Sequence, residues 1–232
     1  YNAIAQAISA FENSAEVNAF SSKYDHYLQD PQRYPLSELE LQGLKLFEAE
    51  NKGNCAACHP SQPGPNGEPP LFTDFSYDNL GIPKNLDNPW YAMPKKYNPD
   101  GKAWQDLALG GFLRTIPRYA KYAEENDGKH KVSTLRNVDK RPHPDFVKSF
   151  GHNGFFKSLK GFVHFYNTRD TLPDCAQTVA AKAGDNCWPQ AEILSNVNKE
   201  ELGNLGLSDQ EEDAIVAFMK TLTDGWDPGM AE

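Results

Sequence analysis

The chain has 232 residues, one generous domain on a prior of about 100–200 residues per domain, with enough length for a sizeable core. Lys and Arg number 23 against 32 Asp and Glu, a net charge of −9 with no basic block, so nucleic acid is not an expected partner, and no stretch nears the roughly 20 apolar residues of a membrane span. Seventeen Gly and 17 Pro exceed the share of a plain helix bundle, so long irregular loops must join whatever helices form, and four Cys are too few for a disulfide scaffold of this length.

Residues 1 to 30 carry a helix with Ile4, Ile8 and Phe11. Ser37-Glu38-Leu39-Glu40 then reads as a capping box opening a helix that sets Leu41, Leu44 and Phe47 on one face and stops near Asn51-Lys52-Gly53. Directly after it, Cys55-Ala56-Ala57-Cys58-His59 spells C-x-x-C-H, the attachment sequence for c-type haem. Two thiols three positions apart can add to the two vinyl groups of one porphyrin, which places His59 under the iron as proximal ligand. Zinc would need two more ligands, and the other cysteines lie more than a hundred residues downstream without matching spacing. A redox C-x-x-C would follow a strand in a βαβ pattern, whereas here a helix precedes it.

Residues 60 to 101 are dense in Pro, Gly, Asn and Asp, but Phe72, Phe75, Tyr77, Trp90 and Tyr91 argue for an ordered loop wrapped over the haem. Residues 102 to 125 suit one or two short helices. From 158 to 167 a firm helix sets Leu159, Phe162, Val163 and Tyr166 on one face and His164 nearly opposite. Ser208-Asp209-Gln210-Glu211 is a second capping box, opening a helix with Ile215, Phe218, Met219 and Leu222 on one stripe, ended by Thr223-Asp224-Gly225. The expected fold is mostly α, a class I cytochrome c-like haem domain with long irregular loop insertions.

The ordered series Gly43-Leu44-Lys45-Leu46-Phe47, the C-x-x-C-H, Phe72-Thr73-Asp74, Asn79-Leu80-Gly81, Ser133-Thr134-Leu135-Arg136-Asn137-Val138, Gly151-His152-Asn153-Gly154, Phe165-Tyr166-Asn167 and Leu207 to Glu211 resembles the C-terminal haem domain of the bacterial dihaem cytochrome c peroxidase and MauG family. The resemblance covers about residues 1 to 225. It divides the chain into residues 1–30, similar to the helix that closes a preceding haem domain, and residues 31–232, a cytochrome c-like haem domain. Family members carry a second C-x-x-C-H upstream, at the haem that meets peroxide, while the C-terminal haem receives electrons and passes them on. With a single C-x-x-C-H, this chain is either a one-haem relative or a C-terminal portion whose other half is a missing domain or second chain, and its start within a family-like helix favours the latter.

The sixth iron ligand decides between electron transfer and small-molecule chemistry. If the apolar face of the 158–167 helix covers the haem edge, Tyr166 is best placed to reach iron. The resemblance agrees, because the residue fourteen after the His of the family's His-Asp-Gly motif is Met in many peroxidases and Tyr in MauG, and fourteen from His152 is Tyr166. The competing readings are a core aromatic whose hydroxyl is hydrogen-bonded, and Met93, which precedes a proline on a loop. Met219 reads as core and His164 as solvated or supporting. The resemblance suggests a haem-propionate contact for Arg136, with surface exposure the other reading, and a calcium ion near Arg141-Pro142, whose ligands the sequence does not place; His152, whose family counterpart is not a ligand, reads as bonding a haem propionate or a neighbouring loop rather than iron. His26, His130 and His143 carry no signal.

Cys175 and Cys187 read as a structural disulfide, because c-type haem is attached outside the cytoplasm, where neighbouring thiols oxidise. The location is then periplasmic or otherwise extracytoplasmic. The leading function is a c-type cytochrome that transfers electrons, free-standing or as the electron-entry part of a hydrogen peroxide reductase, with a redox protein partner such as a basic small cytochrome. The alternatives are a peroxidase acting at its own haem, for which no distal acid or base stands out, and a haem-based sensor.

Overall fold

The structure, a computed structural model, describes residues 2–229. Six helices carry the fold: α1 (Asn2–Glu12), α2 (Lys23–Gln29), α3 (Glu38–Glu48), α4 (Ala108–Arg114), α5 (Leu159–Thr168) and α6 (Asp209–Lys220). Sheet is limited to β1 (Tyr77–Asp78) and β2 (His130–Lys131), an antiparallel pair with Tyr77 opposite Lys131 and Asp78 opposite His130. The remainder is loop with short 3₁₀ turns, so the chain is helix-dominated. No helix among the described residues is long and apolar enough to cross a membrane.

Both expected capping boxes form. Ser37 accepts from Glu40 N while the Glu40 carboxylate returns to Ser37 N, and Ser208 and Glu211 do the same for α6. A third box, Ser22 with Asp25, opens α2. Helix α3 ends at Glu48, three residues before the expected stop, because Gly53 N turns back to Leu46 O at 3.0 Å and Asn54, at φ 50°, bonds to Ala49 O. The disagreement reflects turn geometry that a run of Asn, Lys and Gly signals only loosely.

Helices α3 and α6 cross at Gly43. A Cβ there would lie 1.9 Å from Ala214 O and 2.9 Å from Phe218 Cβ, so only glycine permits this approach. Around the crossing, Phe47, Phe218, Tyr24 and Phe72 form an aromatic cluster with ring centroids 5.1 Å (Phe47–Phe218) and 5.2 Å (Tyr24–Phe218) apart, and all four are buried. Tyr24 lies on α2, so the core begins upstream of the division at residue 31 drawn from sequence. Helix α1, by contrast, buries no residue, and Ile4, Ile8 and Phe11 are exposed.

Helix α5 packs on α6 through polar ties as well as apolar ones. Asn167 donates to Leu207 O (2.9 Å) and Glu212 Oε1 (2.6 Å) and accepts from Leu207 N (2.9 Å). His164 Nδ1 lies 2.8 Å from the same buried carboxylate. Behind α5, Phe165 meets Trp188 edge-on at 5.1 Å, and the adjacent Cys187 is bonded to Cys175, which pins the segment between α5 and α6.

The 60–101 loop is ordered by side chains that bond to backbone, both far away in sequence and within the loop itself. Thr73 Oγ1 donates to Val132 O (2.6 Å), Asn79 Nδ2 to Ser195 O (2.8 Å), and the fully buried Asn98 to Trp90 O (3.0 Å). On the other flank, the buried Arg136 guanidinium bonds to Asp25 of α2 and to Pro70 O (3.0 Å), with Asp224 beyond α6 at 3.7 Å.

Candidate functional site

The C-x-x-C-H begins on the 3₁₀ turn Cys55–Ala57 and closes it with a bond from His59 N to Cys55 O (2.9 Å). Next, Asp74 N bonds to Cys58 O (3.0 Å), which brings the 72–75 segment over the motif. His59 Nδ1 is 2.7 Å from Phe72 O. A carbonyl only accepts, so Nδ1 carries the proton and Nε2 keeps its lone pair, the tautomer a metal-ligating histidine needs. Burial lowers the His59 pKa further below the usual imidazole value, which keeps the ring neutral.

These residues wall a cavity of about 500 Å³, within the range of about 300–1,000 Å³ usual for ligand pockets. Helix α5 contributes Leu159, Phe162, Val163 and Tyr166, the same face that the heptad-like spacing selected, and α6 contributes Ile215 and Met219. Burial pushes the Cys55 thiol up to about 12 and the Cys58 thiol to about 11, the reverse of the depressed values that make a redox C-x-x-C reactive. Among the described residues, no group of three or more His, Cys, Asp or Glu donors gathers around the two thiols, so the zinc reading finds no partners.

The tyrosine hydroxyls of Tyr24 and Tyr91 donate to Ser61 O (3.1 Å) and Glu192 (3.3 Å), but that of Tyr166 has no protein partner among the described residues. Its pKa is raised by burial, with the Cys55 and Cys58 sulfurs close enough to add to the effect. Tyr166 is half-buried and its hydroxyl is open to the cavity, where a bound group could satisfy it. Paired thiols, a neutral imidazole with one nitrogen free and an orphan phenol on the wall of one apolar cavity fit a covalently attached porphyrin.

The remaining sequence candidates fall as follows. His152 and Arg136 line the cavity, although Arg136 is already engaged by Asp25 and Pro70. Met93 ends a 3₁₀ turn, is exposed, and is not part of the cavity wall. His164 faces Glu212 on the far side of α5. Two cavity-lining residues had no sequence signal. Lys148, whose pKa burial lowers, bonds to Asn137 O and Lys140 O at 3.1 Å. His130 was read as carrying none, yet its ring stacks on His152 at 3.6 Å between centroids. The two histidines are 22 positions apart in sequence, one on β2 and the other in the turn closed by the Phe150–Phe156 bridge.

No family model matches the chain. It is similar to the methylamine utilization protein MauG of Paracoccus denitrificans, with 29% identity over 97% of this chain and 52% of that protein. It is also similar to a cytochrome-c peroxidase of Denitromonas iodatirespirans, with 26% identity over 94% of this chain and 48% of that one. Among solved structures, the dihaem peroxidase BthA of Burkholderia thailandensis matches with 33% identity and a TM-score of 0.64 over 91% of this chain and 48% of that one. These likenesses support a member of the MauG and dihaem cytochrome c peroxidase family. The chain spans about half the length of the relatives of that family it matches.

Proposed function

We propose that the chain is a c-type cytochrome module that transfers electrons, in which Cys55 and Cys58 would hold one covalent haem and His59 and Tyr166 would hold its iron. When bound, haem supplies a one-electron iron couple. The residues do the rest. The two sulfurs fix the porphyrin to the turn after α3, Phe72 O holds the His59 ring, the α5 face and Ile215 exclude water, and Arg136 with Lys148 offers cationic charge toward propionates. The orphan hydroxyl of Tyr166 carries the reading. The crossing of α3 and α6 just before and beyond the haem segment supports a class I cytochrome c core, and the bare apolar face of α1 supports only Asn2–Glu12 of residues 1–30 as the end of a preceding haem domain, since α2 packs into the core.

The module would act as the electron-entry half of a hydrogen peroxide reductase in an extracytoplasmic compartment, consistent with the Cys175–Cys187 disulfide and the names of its relatives. A calcium ion near Arg141 is part of the same family reading.

Tyr166→Phe tests the ligand. Because the hydroxyl has no protein partner, folding changes by less than about 1 kcal/mol, while the ferric absorption and EPR spectra shift. Unchanged spectra would remove Tyr166 from the iron. A second reading, a peroxidase at its own haem, draws on the two imidazoles of His130 and His152 in the cavity wall. Turnover of peroxide by the isolated haem-loaded chain with reduced cytochrome c would favour it, and redox exchange without turnover the electron-transfer reading. An intact mass with a haem count separates one haem from two.

A further inference from the structure

Asp106, His130 and His152 come together at the rim of the cavity, with ligand atoms all within 4.8 Å of one another. Each is held by backbone ties. His130 sits on β2 opposite Asp78, and His152 lies in the turn closed by the Phe150–Phe156 bridge, with Gly151 and Gly154 at φ 79° and 69°. Asp106 precedes α4, accepts from Ala108 N (2.9 Å) and donates its own N–H to Glu192 (3.2 Å). Bonds from Leu109 N to Lys129 O and Gly128 N to Leu107 O (both 3.2 Å) lock the start of α4 to the strand carrying His130.

Among the described residues, the imidazoles that bond to protein are those of His59 and His164, so the ring nitrogens of His130 and His152 have no protein partner. Two imidazoles stacked at 3.6 Å and 13° with a carboxylate beside them and four unengaged nitrogens form a donor set without an acceptor. We propose that His130, His152 and Asp106 bind a divalent first-row transition ion at the rim of the cavity that the C-x-x-C-H also lines. Two imidazoles and one carboxylate are the ligand chemistry of Zn²⁺ and Cu²⁺ sites with an open position. Metal–nitrogen distances of about 2.0–2.1 Å require donors to draw closer than 4.8 Å, so binding splays the stacked rings and pulls the three side chains inward. Glu192 behind Asp106 adds negative charge at the site's back.

The test is calorimetric titration of the haem-loaded, untagged protein with Zn²⁺ alone, with EPR after addition of one equivalent of Cu²⁺. One saturable equivalent is expected, with nitrogen hyperfine structure from two imidazoles on the copper signal. His130→Ala and His152→Ala each weaken binding at least tenfold, while His143→Ala does not. Asp106 is not in the cavity wall, so Asp106→Asn keeps the haem spectrum and still weakens Zn²⁺ binding severalfold. Absence of a one-equivalent phase, as expected if the haem edge engages His152 instead, or affinity unchanged across the three variants, overturns the proposal.

Discussion

Arg136 shows how one side chain can serve two neighbourhoods. Its guanidinium is almost fully buried, bonds to Asp25 and Pro70 O, lies near Asp224 and stacks over Phe20 at 4.5 Å, while its flank lines the cavity. Asp25 in turn caps α2, and Asp224 exchanges bonds with Asn137 at 2.8 and 2.9 Å, so a single cation joins α2, the end of α6 and the Leu135–Val138 segment. Removing one partner of such a buried pair leaves the other charge unmet, at a cost of about 3–5 kcal/mol. Arg136→Met should therefore lower the melting temperature sharply and weaken the docking of α2, measured by thermal unfolding and by amide exchange over Tyr24 to Gln29. If Arg136 acted only on a haem propionate, the haem spectrum would change with little loss of stability. The sequence reading offered Arg136 a propionate or the surface, because the family resemblance speaks of haem contacts and is silent on a carboxylate 111 residues away.

At the scale of elements, the α3–α6 crossing depends on Gly43. A methyl group there collides with backbone, not with a side chain that could swing aside. Gly43→Ala should force the helices apart and destabilise by at least the roughly 1–3 kcal/mol typical of overpacking, despite the better helix propensity of alanine. An unchanged or raised melting temperature would show that the crossing can relax. The three well-formed helices with capping boxes or clear stripes, α3, α5 and α6, were legible because local hydrogen bonding and 3.6-residue periodicity write them into consecutive residues. The loop from 60 to 101 was legible only as ordered loop. What orders it is a set of Asn and Thr bonds to backbone more than fifty residues away, such as Thr73 to Val132 and Asn79 to Ser195, and no local pattern records these. The same holds for His130, whose ring meets that of His152 from a strand paired with distant Asp78.

For the whole molecule, the excess of acid over base, 32 against 23, sets the long-range field a partner meets. Association with a basic small cytochrome should be fast at low ionic strength and slow as salt rises toward and beyond about 0.1 M, where the screening length is about 10 Å. Stopped-flow electron-transfer rates measured against salt check this, and a flat profile would count against a charge-steered encounter. The motif and the α5 face together located the cavity from sequence because the first is a contiguous run and the second a single helical stripe.

The hydrogen bond from His59 to Phe72 has a consequence at the iron. An imidazole that gives its Nδ1 proton toward a carbonyl gains anionic character and becomes a stronger donor through Nε2. The position of that carbonyl is set by Thr73, whose hydroxyl is tied to Val132 O, and so by the segment that leads into β2. In the proposed haem site, the basicity of His59 as a ligand would therefore be under the control of a neighbouring loop, and substitutions in the 72–75 turn would adjust how readily a bound iron gives up its electron.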